Sequence, residues 1–421
     1  MIREEHLQQY WRNHAEGLTS LKTVCGQALS ICDVGNFNYD QGPDFVDARI
    51  KVGAVEWAGN VELHIRTSDW TKHAHQHDEN YHTIILHVVW INDYDEYHIS
   101  PILELSKFVC IEDLMIRDEV NILYQFPCSS NYKFTIVVDE HKALHDLGIE
   151  RLMRRKEEVM HLFRVHKYDY SSVLWRLIFR SFGRSTNADS FEKLFLSIPI
   201  HVLRLYAFDQ HSIESLLFGQ SSLLQNDFKD EYPRALYKNY QVLSQRHGLN
   251  PINEKMKFLR MRPRNFPTIR LAQLAVFFHQ HMSLFNSLLH IEEIKDLVEI
   301  FNITPHSYWH NHFVFEKASI EQVKEVGYSI RQQIILNAFI PLLMGYGQTH
   351  CDFSSVQKAK QWLTALKPED DAMVQSFNSL GFRAKSIIDS QALHELYNRN
   401  CITLKCEDCI RGKAIKEGFT N

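Results

Sequence analysis

Two hydrophobic periodicities divide this chain, and the division bounds what it can fold into. Between Ala28 and Leu105 the apolar residues alternate with polar ones, or run unbroken for a few positions, in the segments ALSICDVG, DFVDARIKVG, EWAGNVELHIRT, TIILHVVW and PILEL. A period of two is that of a β-strand, and the unbroken TIILHVVW suits a strand covered on both faces. From about Glu140 to Leu396 the spacing changes to that of helices, as in HKALHDLGIERLMRRKEEVMHLFRVHK, RLAQLAVFFHQHMSLFNSLL and SIRQQIILNAFIPLLMGYG. One further helix precedes the strands over residues 2–16, with Leu7, Tyr10, Trp11, His14 and Leu18 at helical spacing and Glu4 and Glu5 in the first turn, where they suit the dipole. CIEDLMIRDEVNILYQF reads as another, ended by Pro127 to Ser130. The expected organisation is an α/β domain over 1–110, a large all-α domain over 111–396 and a cysteine-rich tail over 397–421. At 421 residues and 45% hydrophobic, the chain can bury two or three cores.

A net charge of −5 supplies no whole-protein attraction to nucleic acid, so such contacts must come from local basic patches. The N-terminus, MIREEHLQQYWRNH, is polar, and the longest apolar runs are too short or too interrupted to span a bilayer. The expectation is a soluble, cytoplasmic protein with no membrane partner. Its eight cysteines are spread unevenly, which suits reduced thiols and a metal site better than a secreted disulfide framework.

The densest chemistry lies between Gly42 and His87. In VELHIR, Val61, Leu63 and Ile65 alternate with Glu62, His64 and Arg66, so a strand puts the three polar side chains on one face, entered through a turn at Gly59-Asn60. Asp44 follows Gly42-Pro43 at a strand start, from which its carboxylate can project to a neighbour. The bland alternative is a surface ion pair between Glu62 and Arg66, with Asp44 capping a turn.

Pro43-Asp44 followed by Glu62-Leu63-His64 resembles the PD-(D/E)XK nuclease signature, with histidine where that family usually has lysine. The order of a helix and then strands also suits the αβββαβ, restriction-endonuclease-like core of that fold. The resemblance implies metal-dependent hydrolysis of DNA or RNA. Asp44 and Glu62 would hold Mg²⁺ or Mn²⁺ through hard oxygen ligands, and His64 would orient or deprotonate the attacking water. Glu4 or Glu5 from the first helix would complete the site, with Glu5, Arg66, Asp69 and His87 as supporting residues. A nucleic-acid-binding or scaffold protein whose site has decayed is the alternative on the same fold.

His73, His75, His77, Asp78, His82 and His87 form a second, overlapping cluster, and clustered histidines with an aspartate favour zinc. The string superficially resembles the His-x-His-x-Asp-His motif of metallo-β-lactamase-type hydrolases, but the aspartate follows the third histidine directly, so the register is wrong. A zinc-dependent hydrolase built on His73–His87 is therefore the third reading; a polar loop exposing its histidines is the common case.

At the other end, Cys401, Cys406 and Cys409 have the spacing C-x4-C-x2-C, suited to Zn²⁺ or an iron–sulfur cluster with a distant fourth ligand. Cys128 is a candidate for it, beside Cys25, Cys32, Cys351 and His394. The basic stretch RMRPRNFPTIRLAQLA presents Arg260, Arg262, Arg264 and Arg270; of these Arg262, Arg264 and Arg270 are the candidates for phosphate contacts to nucleic acid. Arg151, Arg154, Arg155 and Lys156, interleaved with glutamates, read as a solvated helix face.

GPDF, WAGNVELH, SDW, the His-x-His turn, ILHVVW-x-ND, RPRNFPTIRLAQLA, SQALHELYN and C-x4-C-x2-C together resemble a widespread bacterial family of conserved proteins of unknown function. That resemblance spans nearly the whole chain and implies family context without a reaction.

Overall fold

The structure is a computed structural model that describes residues 2–38, 42–73, 78–93, 100–111, 114, 126, 140–224, 227–259, 261–403 and 405–416, the side chains of Glu5, Asn13, Glu79, Glu140 and 414–416 apart. It divides into two units, Met1–Asn121 and Ile122–Asn421. The first carries a mixed sheet and the second is largely helical.

The first unit opens with helix α1 (Glu4–His14), whose Leu7 and Trp11 are fully buried in the core with sheet residues such as Phe45, Ile50, Val61 and Leu86. Then follow β1 (Leu21–Lys22), β2 (Ala28–Asp33), β3 (Asn36–Phe37), β4 (Phe45–Val52), β5 (Val55–Arg66), helix α2 (Asp69–Lys72), β6 (Ile84–Ile91) and β7 (Ile102–Glu104). These build a seven-stranded sheet in the order β1-β2-β4-β5-β6-β7, with β3 paired to β4. The pairs from β1 to β5 are antiparallel, whereas β5–β6 and β6–β7 are parallel. A parallel pair needs a crossover, and α2 with the turn Glu79–Tyr81 supplies it between β5 and β6.

The hairpin between β4 and β5 turns at Gly53, whose φ of +59° favours glycine, so β5 runs without interruption through Gly59 and Asn60. The turn expected at Gly59-Asn60 is therefore absent. Gly59 serves close approach instead: a Cβ there would lie 2.5 Å from Ile85 Cγ2 and 2.6 Å from the Thr83 carbonyl oxygen. Gly59→Ala should accordingly cost ~1–3 kcal/mol, because β5 and β6 must move apart. Gly17→Ala, with nothing within 4 Å, should stay within about 0.5 kcal/mol of the parent. Urea denaturation of both variants checks this.

In the second unit a large core gathers Trp175, Phe179, Phe182, Phe277, Phe301, Trp309 and Trp362 from many helices. The long helix Glu140–Val165 packs against Ile387–Leu396 so closely that a Cβ on Gly148 would lie 2.5 Å from the Ile388 carbonyl oxygen. Arg151 lies in that seam, donating to Glu395 at 2.9 Å and Gln391 at 2.8 Å, and Lys156 is buried and donates to Gln348 at 2.7 Å. The basic stretch 151–156 is thus partly an interhelical clasp rather than wholly a solvated face. The apolar run after Arg270 is two helices, Pro267–Gln280 and Leu284–His290. In the run 328–349 a π-turn, Ile335–Phe339, directly precedes the turn holding Pro341, which lacks the N–H donor a regular helix needs. A small hairpin, His312–Val314 with Lys317–Ala318, interrupts what the sequence reads as all helix. No helix of the described residues is long and apolar enough to cross a membrane.

Candidate functional site

The site begins with an irregularity in the β4–β5 hairpin. From the turn outward the pairs run Val52↔Val55 to Ala48↔Gly59, and a bulge then shifts the register so that Phe45 faces Val61. Asp47 takes the bulged position with φ +59°, a conformation aspartate tolerates better than most residues. Without that shift Asp44 would continue opposite Leu63; with it, Asp44 meets Glu62. The Asp44 N–H donates to Glu62 Oε2 at 2.9 Å.

Both carboxylates are buried, Asp44 to 4% and Glu62 to 6% exposure. Asp44 Oδ2 accepts the Leu63 N–H at 3.1 Å and Oδ1 accepts the Gln8 amide of α1 at 2.7 Å. The preceding loop is held by Tyr81 Oη donating to the Gly42 carbonyl at 3.2 Å and Asn38 Nδ2 donating to the Pro43 carbonyl at 2.9 Å. Neither carboxylate belongs to a surface ion pair or a simple turn cap.

Glu62 and His87 are partners across the parallel β5–β6 pair, which brings the third strand's chemistry to the same place. His64 Nδ1 lies 2.9 Å from His87 Nε2, and His64 Nε2 lies 3.2 Å from His73 Nδ1 and 3.7 Å from Glu62 Oε1. Each nitrogen–nitrogen contact needs one proton, so the tautomers of the three imidazoles are linked. Trp70, the buried residue of α2, walls the group, its ring 5.1 Å from that of His87 and 6.4 Å from that of His64.

Among the described residues one set of three potential metal ligands converges, namely Glu4, His64 and His73, with ligand atoms all within 4.8 Å of one another. Two nitrogens on one tetrahedral ion at zinc-like bond lengths lie about 3.3 Å apart. The 3.2 Å between His64 and His73 meets that spacing as well as a hydrogen bond. Glu4, His64 and His73 offer a mixed nitrogen and oxygen set, which fits Mn²⁺ or Zn²⁺ better than the all-oxygen preference of Mg²⁺.

Asp44, Glu62, His64 and His87 are therefore brought together, and Arg66 and Asp69 stand beside them in other roles. Arg66 is exposed and pairs with Asp93 at 3.4 Å. Asp69 accepts the Arg66 N–H and the Lys72 ammonium at the start of α2. Burial pushes the Asp69 carboxyl up, but these two donors outweigh it and hold the group below the usual range. Glu4 reaches the cluster from α1; the side chain of Glu5 lies outside the described residues, as do His75 and His77. Gln8 escaped the sequence reading, although its helical spacing from Glu4 places the two on one face of α1.

The other expected groups lie in the second unit. Arg264 and Arg270 line one cavity, of which exposed Arg262 is not part; Arg260 lies outside the described residues. Cys409 is buried in a small core with Phe377, Leu380, Phe382 and Leu396, against which Cys401 packs, while Cys406 is half-buried nearby in sequence. Cys128 lies outside the described residues. His394 directs Nε2 at Asp371, 3.0 Å away, and Glu369, 3.3 Å away, which leaves it in an ion pair rather than aimed at the thiols by that nitrogen. Cys25, Cys32 and Cys351 are exposed.

No curated protein matches the chain, and no solved structure matches it either. A family model does: residues 4–372 match the protein of unknown function DUF2851, and the chain belongs to that family.

Proposed function

We propose that the first unit is a divalent-metal-dependent nuclease, hydrolysing phosphodiesters of DNA or RNA on a restriction-endonuclease-like core. The observation carrying this is that buried Asp44 and Glu62 stand side by side on neighbouring strands, the Asp44 backbone N–H donating to Glu62 Oε2 at 2.9 Å, with His64 two residues on from Glu62 and 3.7 Å from its Oε1. One helix followed by the strands β2-β4-β5-β6, paired antiparallel twice and then parallel, supports the same reading, since a helix followed by strands suits the αβββαβ order that the resemblance implies. A divalent cation there would neutralise charge on the scissile phosphate. Asp44, Glu62 and Glu4 supply carboxylates to hold it. His64, backed by His87, would take a proton from the attacking water as the new phosphorus–oxygen bond forms and the ester phosphorus–oxygen bond breaks, the departing oxygen taking its proton from solvent water. Exposed Arg262 and Arg264 are the proposed contacts to nucleic-acid phosphates, whereas Arg270, expected with them from the sequence, is only 5% exposed and lines a cavity.

A zinc-dependent hydrolase is the second reading, and the Glu4–His64–His73 convergence favours it. Incubating the purified protein with labelled single-stranded DNA, double-stranded DNA and RNA separates the possibilities. Cleavage with Mn²⁺ or Mg²⁺, abolished by EDTA and retained in His73→Gln, supports the first reading. Activity restricted to Zn²⁺ and lost in His73→Gln supports the second. Binding without cleavage under any metal replaces both with a scaffold.

For the tail we propose that Cys401, Cys406 and Cys409, whose thiols are not among the convergent ligand sets of the described residues, are drawn together on Zn²⁺ or an iron–sulfur cluster, with Cys128 a candidate fourth ligand. Anaerobically purified protein should then carry zinc or iron in proportion to chain, and Cys406→Ser should lose it. Protein free of both metals contradicts this.

A further inference from the structure

The second unit contains a cavity of about 750 Å³, within the ~300–1,000 Å³ range of small-molecule sites. Its walls carry Arg184, Arg264, Arg270, Lys324 and Arg331 against the single acid Glu325. Such an excess of one sign inside a concave wall has a cost, and the hydrogen bonds show how incompletely it is offset.

Arg270 is a buried cation of this wall. Its side chain is 5% exposed, yet its guanidinium has no carboxylate within ion-pair distance among the described residues. Nη1 donates to the Gln273 amide oxygen at 2.7 Å and Nη2 to the Asn265 amide oxygen at 2.6 Å, while buried Nε has no hydrogen-bond partner. Burial, and then the nearby charge of Arg184, push the Arg270 guanidinium down to about 10. A buried cation satisfied only by neutral amides and facing a like charge is poised for an anion.

Arg184 sits beside it in a backbone conformation that side chains rarely adopt, φ 55° and ψ −159°, at a kink within Tyr170–Ser197. It makes no hydrogen bond among the described residues. Asp371 and Glu369 act on it from a distance, but burial dominates, and both carboxylates are already engaged by His394. The remaining cations are likewise bonded to neutral oxygens: Arg264 to the Gln322 amide at 2.8 Å, Arg331 to the Asn302 amide at 3.2 Å, and Lys324 to the carbonyls of Trp309 and His310.

We infer that this cavity binds a phosphate-bearing small molecule of about mononucleotide size, its phosphate held between Arg270 and Arg184. Guanidinium groups match phosphate oxygens with paired, charge-assisted hydrogen bonds, and each Nη of Arg270 carries a second N–H beyond the one that meets its amide partner. The site is independent of the sheet cluster and holds whether or not that cluster cleaves phosphodiesters.

Calorimetric titration of the full chain with inorganic phosphate, pyrophosphate and ADP, in EDTA so that metal-dependent binding is silent, tests the inference. Pyrophosphate or ADP should bind once per chain. Arg184→Gln should weaken that binding at least tenfold while leaving the unliganded thermal midpoint unchanged or raised, since a like charge beside Arg270 is removed. Arg264→Gln, at an exposed wall position, should weaken it as well and gives the same reading should Arg184→Gln fold poorly. A single-stranded oligonucleotide that displaces pyrophosphate assigns the phosphate to a nucleic-acid backbone; failure to displace it assigns a free phosphate ester. The inference is overturned by the absence of binding of any of these probes at millimolar concentration, or by undiminished affinity in both folded variants.

Discussion

Glu62→Gln should reduce Mn²⁺-dependent phosphodiester cleavage by about a thousandfold, about 4 kcal/mol of transition-state stabilisation, with the fold retained. The amide oxygen can still accept the Asp44 N–H that Glu62 Oε2 now accepts at 2.9 Å, so the β4–β5 junction survives while the negative charge is lost. Asp44→Asn is a harsher change. Both of its oxygens are occupied, by the Leu63 N–H and the Gln8 amide, and an asparagine nitrogen can accept neither. It should therefore lose activity and also lower the thermal midpoint. Initial cleavage rates set beside melting curves separate the two effects; a Glu62→Gln rate within a factor of a few of the parent would remove Glu62 from the chemistry.

The second large effect concerns pH. Burial alone would push the His394 imidazolium down, but Asp371 at 3.0 Å and Glu369 at 3.3 Å outweigh it and raise the group to about 9. A raised folded value means that the protonated form stabilises the native state. The contribution is fully present below the unfolded value near 6.5 and is lost as pH rises through 9. The shift corresponds to about 3 kcal/mol. Urea-denaturation free energies should therefore fall between pH 6.5 and 9.5, and His394→Gln should be less stable at pH 6.5 yet nearly equal to the parent at the alkaline end. An identical pH slope in the variant would count against the ion pair. The same two carboxylates also act on Arg184, so His394 and the cavity arginine share them.

Much of the first unit was legible because its signals are local. Period-two alternation marks β4 and β5 and groups Glu62 with His64, but the turn expected at Gly59-Asn60 obscured the hairpin, which turns at Gly53. The bulge was not legible: one extra residue at Asp47 decides whether Asp44 meets Leu63 or Glu62, and a sequence pattern does not count residues across a ladder. Gly59-Asn60 misled for a related reason. Glycine followed by asparagine signals a turn, but close packing of Ile85 against β5 also demands a glycine, and only the tertiary neighbour distinguishes these.

The contributions of α1 were half legible. An acidic residue of its first turn, Glu4 or Glu5, was expected at the site, and Glu4 stands with His64 and His73, whereas Gln8 looks like an ordinary helix-surface amide. In the second unit, helical periodicity found the helices but not their partners. Arg151 and Lys156 read as surface charges because Glu395 and Gln348 stand some two hundred residues away. The break at His281 escaped because the run is apolar on both sides, although the imidazole Nε2 meets the Ile300 carbonyl oxygen at 2.8 Å.

Manganese binding tests the sheet site most directly, because it needs no substrate. Titration of the metal-free full chain with Mn²⁺, followed by electron paramagnetic resonance of the free ion, should show one tight site per chain that is lost in Glu62→Gln and Asp44→Asn and kept in His394→Gln. Wild-type protein that leaves Mn²⁺ free, or a tight site undiminished in both carboxylate variants, would contradict a metal-dependent role for Asp44 and Glu62.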